Sequence, residues 1–289
     1  MSMDYKIGYI ILHYQAIDET CACIESLKSI TGEKDMIIII DNHSPNGSGK
    51  MLMQKYKHTV NISVILNAEN LGFARGNNIG YILAKRQYGC DFIVMLNNDT
   101  LIKQADFRER MIASYEAHPF AVMGPKILHA DGTANHCSPT APVHTTLLRA
   151  RIGQAVNYIR FVLSIFNLDI LFAQIVDKHV GKTADQTDHY QEDVQISGCC
   201  MIFSKEYIDR FDGLNPDTFL YLEENILYMQ VKKAGLKIAY DPELEIIHLE
   251  DAATLAVFKG KSAKARRYKY RCQMRSFQAL LAEIKKQVD

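Results

Sequence analysis

The sequence predicts an α/β fold: a doubly wound, mostly parallel sheet flanked by helices, with a helical appendage at the C-terminus. Three observations predict it. Short, β-branched apolar runs recur without polar alternation, as strands buried on both faces do. Stretches long enough for a crossover helix separate them, and a polar residue follows each run. The 289 residues are 48% hydrophobic and 23% charged, enough to bury a sizeable core. Lys plus Arg and Asp plus Glu each number 33, so no net charge draws the chain to nucleic acid.

The first strand is expected at residues 7–14 (IGYIILHY) and the second at 36–41 (MIIIID), with a crossover helix over 18–30 between them. A helix near 49–57, a strand at 62–66, a helix near 73–88 and a strand at 92–96 repeat the alternation. In such sheets ligands bind beyond the carboxyl ends of the strands, which singles out His13, Asp41, Asn67 and the run Asn97-Asn98-Asp99. Asp and Asn also serve as turn residues, so any one of them alone has an ordinary explanation.

Beyond Pro125 the pattern changes. Residues 127–146 read as loop or hairpin, and 147–180 have helical spacing with an apolar run, 161–176, interrupted by Asn167 and Asp169. That run is too short and too polar at its middle to span a bilayer, so a buried or interfacial helix is expected. A strand-like run at 195–203, a turn at Phe211-Asp212-Gly213 and a helix opening with Glu223-Glu224 and reaching Ala234 complete the pattern.

The seven cysteines, Cys21, Cys23, Cys90, Cys137, Cys199, Cys200 and Cys272, contain no C-x-x-C pair and fit a reducing, cytoplasmic compartment. No signal-peptide pattern opens the sequence, and no apolar stretch reaches the roughly 20 residues of a spanning helix.

Four segments, in order, carry a family resemblance: IIIIDNHSPNGS (37–48), NAENLGFARGNNIGY (67–81), VMLNNDT (94–100) and ISGCCMIFSKEYIDRFDGLNPDTFLYLEEN (196–225). Together they resemble family 2 glycosyltransferases of the GT-A (Rossmann-like) fold, especially the bacterial rhamnosyltransferase branch. The resemblance implies an inverting transferase that moves a sugar from a nucleotide diphosphate sugar, dTDP-rhamnose or a UDP-sugar, to a hydroxyl of a polysaccharide or lipid-linked glycan. It implies one domain over residues 1–255, with a nucleotide-binding half (1–100), an acceptor-binding half (101–255) and a helical insertion near 147–190, followed by a basic helical segment at 256–289.

The same resemblance distributes the roles. His13, Asp41, Asn42, Ser44, Asn70, Gly72, Arg75, Asn78, Asn97 and Asn98 are expected around the sugar nucleotide. Asp99 stands where the family's D-x-D motif ends and His248 where its later histidine falls, a pair expected to hold Mn²⁺ or Mg²⁺ beside the diphosphate. Glu224 matches the general base, and Glu223 is expected to orient it or to hold an acceptor hydroxyl. An acidic helix start favoured by the macrodipole is the plain alternative for that pair. Two positions depart from the family pattern: Ile226 and Gln230 stand where an acid and an arginine are usual. A noncatalytic sugar-nucleotide-binding protein and a nucleotidyltransferase are the rival readings.

Residues 259–275 hold eight Lys or Arg and no acid, with Phe258, Tyr268, Tyr270, Met274 and Phe277 interleaved. Such a basic, aromatic-bearing helix predicts peripheral attachment to the inner face of the cell membrane. A solvated helix face is the alternative.

Overall fold

The computed structural model describes residues 4–134, 139–172, 188–249 and 262–288. Cys137, Phe258, residues 259–261 of the basic run and residues 173–187 of the expected insertion lie outside the described residues.

The apolar runs form the strands expected of them. β1 (Ile7–His13), β2 (Met36–Asp41), β3 (Ile62–Leu66) and β4 (Phe92–Asn97) pair in parallel in the order β3-β2-β1-β4. Helices α1 (Ile17–Lys28), α2 (Ser48–Tyr56) and α3 (Gly72–Ile82) make the crossovers, and residues 83–87 prolong α3 as a π-helical turn. Because β2 and β3 lie on one side of β1 and β4 on the other, the winding reverses between β1 and β4. Their carboxyl ends therefore flank a crevice.

Beyond β4 the sheet becomes mixed. β5 (Thr100–Leu101), α4 (Phe107–Ala117), β6 (Val122–Leu128), α5 (Leu147–Ile165), β7 (Gln191–Glu192), β8 (Cys200–Phe203), α6 (Lys205–Ile208), α7 (Glu223–Lys233), β9 (Ile238–His248) and α8 (Ser262–Val288) follow. β8 runs antiparallel to both β4 and β6, β9 lies parallel to β6, and β5 and β7 add antiparallel to β9. The strand expected over 195–203 is confined to Cys200–Phe203, because the chain turns at Gly198-Cys199 and only Gln195 makes an isolated bridge, to Thr140.

Alternating residues of β1 serve opposite faces, as strand geometry requires. Ile7, Tyr9 and Ile11 pack with Ile24, Leu52 and Met111 from α1, α2 and α4; Ile10 packs with Ala74, Tyr81, Tyr207 and Leu227 from α3, α6 and α7. A third cluster joins α5, α7 and α8 through Ala150, Ile226, Met229, Phe277, Leu280 and Ile284. The C-terminal segment is thus packed onto the domain. Tyr270 and Phe277 point inward, which corrects the expectation that they would face a membrane.

Candidate active site

The crevice holds a cavity of about 570 Å³. β1 contributes Leu12 and Tyr14 from its end, β4 contributes Asn97, Asn98 and Asp99, and Asn42, Asn70, Gly72 and Phe73 close one side. Ser197, Gly198 and Cys199, the 219–224 turn, His248, and Ala265 with Tyr268 of α8 complete the lining.

Asn42 organises the loop ahead of α3. Its Nδ2 donates to Asn70 Oδ1 (3.1 Å) and to the Gly72 carbonyl (3.0 Å), while its Oδ1 accepts the Leu71 N–H (2.9 Å). Gly72 lies at φ +77°, where a Cβ would stand 2.3 Å from the Phe219 carbonyl, so only glycine lets this loop lie against residue 219. Asp41 is almost fully buried behind the cavity and accepts hydrogen bonds from the Ser44 N–H and hydroxyl.

Besides Asp41 and Ser44, which were expected at the nucleotide but bond to each other outside the cavity lining, three expected ligand contacts are corrected. His13 is fully buried, with Nδ1 bonded to Thr20 Oγ1 and Nε2 to Ser48 Oγ, both at 2.7 Å. Neither ring nitrogen is left for a ligand. Burial holds its pKa down at about 4, against the partial support of Asp41, so the imidazole is neutral at pH 7. Arg75 turns away from the crevice and donates from Nε to the Pro216 carbonyl (2.7 Å). Asn78 clamps Leu214, donating to its carbonyl and accepting its N–H at 2.8 Å each. These two residues line a separate cleft with residues 211–217 and Gln230.

Asp99 and His248 come together through the β5–β9 ladder, in which Thr100 pairs with His248 and the Leu249 N–H donates to the Asp99 carbonyl (2.9 Å). Asp99 Oδ1 lies 3.2 Å from His248 Nε2. Among the described residues no group of three or more His, Cys, Asp or Glu side chains is placed to hold a metal ion. One carboxylate and one imidazole at a cavity wall nevertheless fit a divalent ion whose remaining positions are filled by phosphate oxygens and water. Asn98 braces this corner from beneath, donating to Thr20 Oγ1 at 3.0 Å.

In the same cavity wall, Tyr221 (φ 71°) and Leu222 (φ 67°) are successive non-glycine residues in the left-handed region, immediately before α7. Such backbone is costly and is held by its surroundings. It delivers Glu223 and Glu224 to the cavity wall at the helix N-terminus. Glu224 Oε1 accepts the Gly198 N–H at 3.2 Å, and a Cβ at residue 198 would fall 2.6 Å from that oxygen. Glu223 is buried, and its Oε1 has no hydrogen-bond partner among the described residues. Burial raises both carboxyl pKa values, and the neighbouring Glu224 charge raises that of Glu223 further.

The sequence reading missed Tyr14, Gly198, Tyr221, Ala265 and Tyr268, which share the cavity wall. Tyr14 directly follows the end of β1 and was open to the strand-end rule. Gly198 lies within the 196–225 segment that carries the family resemblance. Ala265 and Tyr268 reach the cavity through tertiary packing of α8, for which no local signal exists.

The doubly wound half, the mixed continuation and a crevice with Asp99, His248 and an acidic pair are the marks of a GT-A fold. The glycosyl transferase family 2 model matches residues 9–210, well over half of the sequence, and the chain belongs to that family. Glu223, Glu224, His248 and α8 lie beyond the matched segment. The chain is 23% identical over 243 residues to the low-salt glycan biosynthesis hexosyltransferase Agl10 of Haloferax volcanii, spanning 84% of this chain and 66% of that relative. Among solved structures it resembles S. aureus TarS residues 1–349, at TM-score 0.53 and 14% identity over 98% of this chain and 71% of that one. The same TarS segment in complex with UDP-GlcNAc matches at TM-score 0.55 and 14% identity, over 98% of this chain and 72% of that one.

Proposed function

We propose that this protein is an inverting glycosyltransferase that moves a hexose from a nucleotide diphosphate sugar, a UDP-sugar or dTDP-rhamnose, to a hydroxyl of a glycan or lipid-linked acceptor. It would work from the cytoplasmic side at a membrane surface. The observation that carries the reading is that a half-buried carboxylate, Glu224, lines the same cavity as Asp99 and His248. TarS, seen with UDP-GlcNAc, and a hexosyltransferase relative support the donor class.

In this reading the nucleotide lies along Asn42, Asn70 and Gly72, and the diphosphate reaches Asp99 and His248. A divalent ion held there, Mn²⁺ or Mg²⁺, would neutralise charge on the departing nucleoside diphosphate. The acceptor hydroxyl attacks the anomeric carbon from the side of Glu224. Its oxygen forms the new bond, its proton passes to the Glu224 carboxylate, and the bond to the diphosphate oxygen breaks with its electron pair on the leaving group. A raised pKa makes Glu224 a stronger proton acceptor than a solvated carboxylate. His13 and Asp41 act from behind, holding the loop after β2.

The test is Glu224→Gln, which keeps the side chain's shape and removes the base. Donor affinity by calorimetry should stay within about two-fold, while transfer falls roughly 10²–10⁴-fold. Normal turnover in Glu224→Gln together with loss in Glu223→Gln would move the base to Glu223. Donor binding with neither transfer nor hydrolysis in the unaltered protein would favour the noncatalytic reading.

A further inference from the structure

α5 is arranged inside out. Apart from Leu147, which packs on the α5–α7–α8 cluster at the helix start, the face it turns to α8 is small or polar: Ala150, Gly153, Asn157 and Ser164, with Asn157 Nδ2 donating to the Tyr270 carbonyl at 2.9 Å. The opposite face carries the large apolar side chains. Leu148 (69% exposed), Ile152 (55%), Ile159 (44%), Val162 (37%) and Phe166 (69%) follow at intervals of four, seven, three and four residues, which keeps them on a single stripe. Leu168 and Leu171 prolong it past the helix end, where the carboxylate of Asp169 turns back to Arg266 of α8. A helix of a globular domain normally turns its apolar stripe to the core, and a contiguous exposed stripe of this kind marks an interaction surface.

The neighbouring helix supplies charge. α8 runs antiparallel to α5, and its exposed residues include Lys264, Lys269, Arg271 and Arg275; Arg149 and Arg151 are exposed at the start of α5 itself. Asp169, the one acid of residues 147–172, is buried and paired with Arg266. Two copies of the chain meeting on this face would bring basic flanks together with no acid in α5 to answer them. An anionic bilayer complements both parts, the stripe entering the acyl boundary and the Lys and Arg heads meeting phosphate.

We propose that the exposed face of α5, flanked by the basic face of α8, docks this protein on an anionic lipid surface. This deepens the membrane part of the reading above and moves the apolar contact from the C-terminal helix to α5. Ala265 and Tyr268 of α8 line the catalytic cavity, so docking on this side sets the cavity mouth beside the lipid surface.

The sequence has no tryptophan, so Phe166→Trp in the full chain is a single reporter at an exposed site. Its emission should move to the blue with phosphatidylcholine vesicles containing phosphatidylglycerol, and stay unshifted with phosphatidylcholine alone in physiological salt. The triple variant Ile152→Ser, Ile159→Ser, Val162→Ser should keep its melting temperature and lose at least about ten-fold in vesicle partitioning by flotation. Unshifted emission with the anionic vesicles overturns the proposal, as does flotation of the triple variant equal to that of the unaltered chain. So does a blue shift without lipid that tracks dimerisation by sedimentation, which would make α5 a contact between copies. Donor affinity is measured on the same samples: vesicle binding without donor binding removes the transferase reading and leaves the docking face standing.

Discussion

At the scale of single residues, the strand-end rule located the crevice but not the direction of each side chain. Asn97, Asn98, Asp99 and His248 were legible because a polar residue after a buried strand has few places to go other than the cavity. His13 occupies the same kind of position, yet Thr20 and Ser48 capture both of its nitrogens. Arg75 and Asn78 sit on an α3 face that looks toward residues 211–217, a pairing between segments far apart in the chain. His13 makes a measurable prediction. Its folded pKa of about 4 lies below the ordinary value of 6.5, so between those values the unfolded chain binds a proton that the folded chain refuses. Its contribution is fully present above pH 6.5 and is lost as pH falls toward 4. Stability from urea unfolding should therefore drop by about 2 kcal/mol from pH 7 to pH 5 through this residue alone. His13→Gln, compared at the same two pH values, should show that much less of a drop.

At the scale of elements, the parallel strands and their crossover helices were legible from β-branched runs and spacing. The mixed half was less so, since short strands such as β5 and β7 are defined by what they pair with. The departure at Ile226 finds a structural explanation. Where the family pattern has an acid, Ile226 is fully buried between α5 and α8, and Gln230 lies at the other cleft. A carboxylate at residue 226 would lie in this apolar seam, so the change and the docking of α8 belong together. Ile226→Ala should cost roughly 2–5 kcal/mol, read as a lower urea midpoint at unchanged slope. A loss below about 1 kcal/mol would mean that α8 is not held by this seam. The basic run at 259–275 was legible as charge, but Tyr270 and Phe277 were assigned to the wrong side, because a helix of unknown partner offers no way to tell an inward stripe from a lipid-facing one.

At the scale of the whole molecule, the two proposed metal ligands come from positions 99 and 248 and meet only through the β5–β9 ladder. Mn²⁺ binding measured by calorimetry with a nucleoside diphosphate present should be lost in Asp99→Ala and weakened about ten-fold or more in His248→Ala. Retained binding in both would place the ion elsewhere. That ladder also orders the assembly of the molecule in time. β1 to β4 all lie before residue 98, and their pairings with one another are complete without anything that follows. The Asp99–His248 corner has to wait for β9, which lies beside β6 and pairs with β5, reaching back across nearly 150 residues to do so. Until β8 is made, the edge of β4 that it will cover has no partner and offers an apolar strand to any neighbouring chain. Synthesis halted after α4 would therefore leave a half-sheet competent to fold, prone to associate and without chemistry, so the same long-range closure that builds the site also sets the interval in which the nascent protein is most exposed to misassembly.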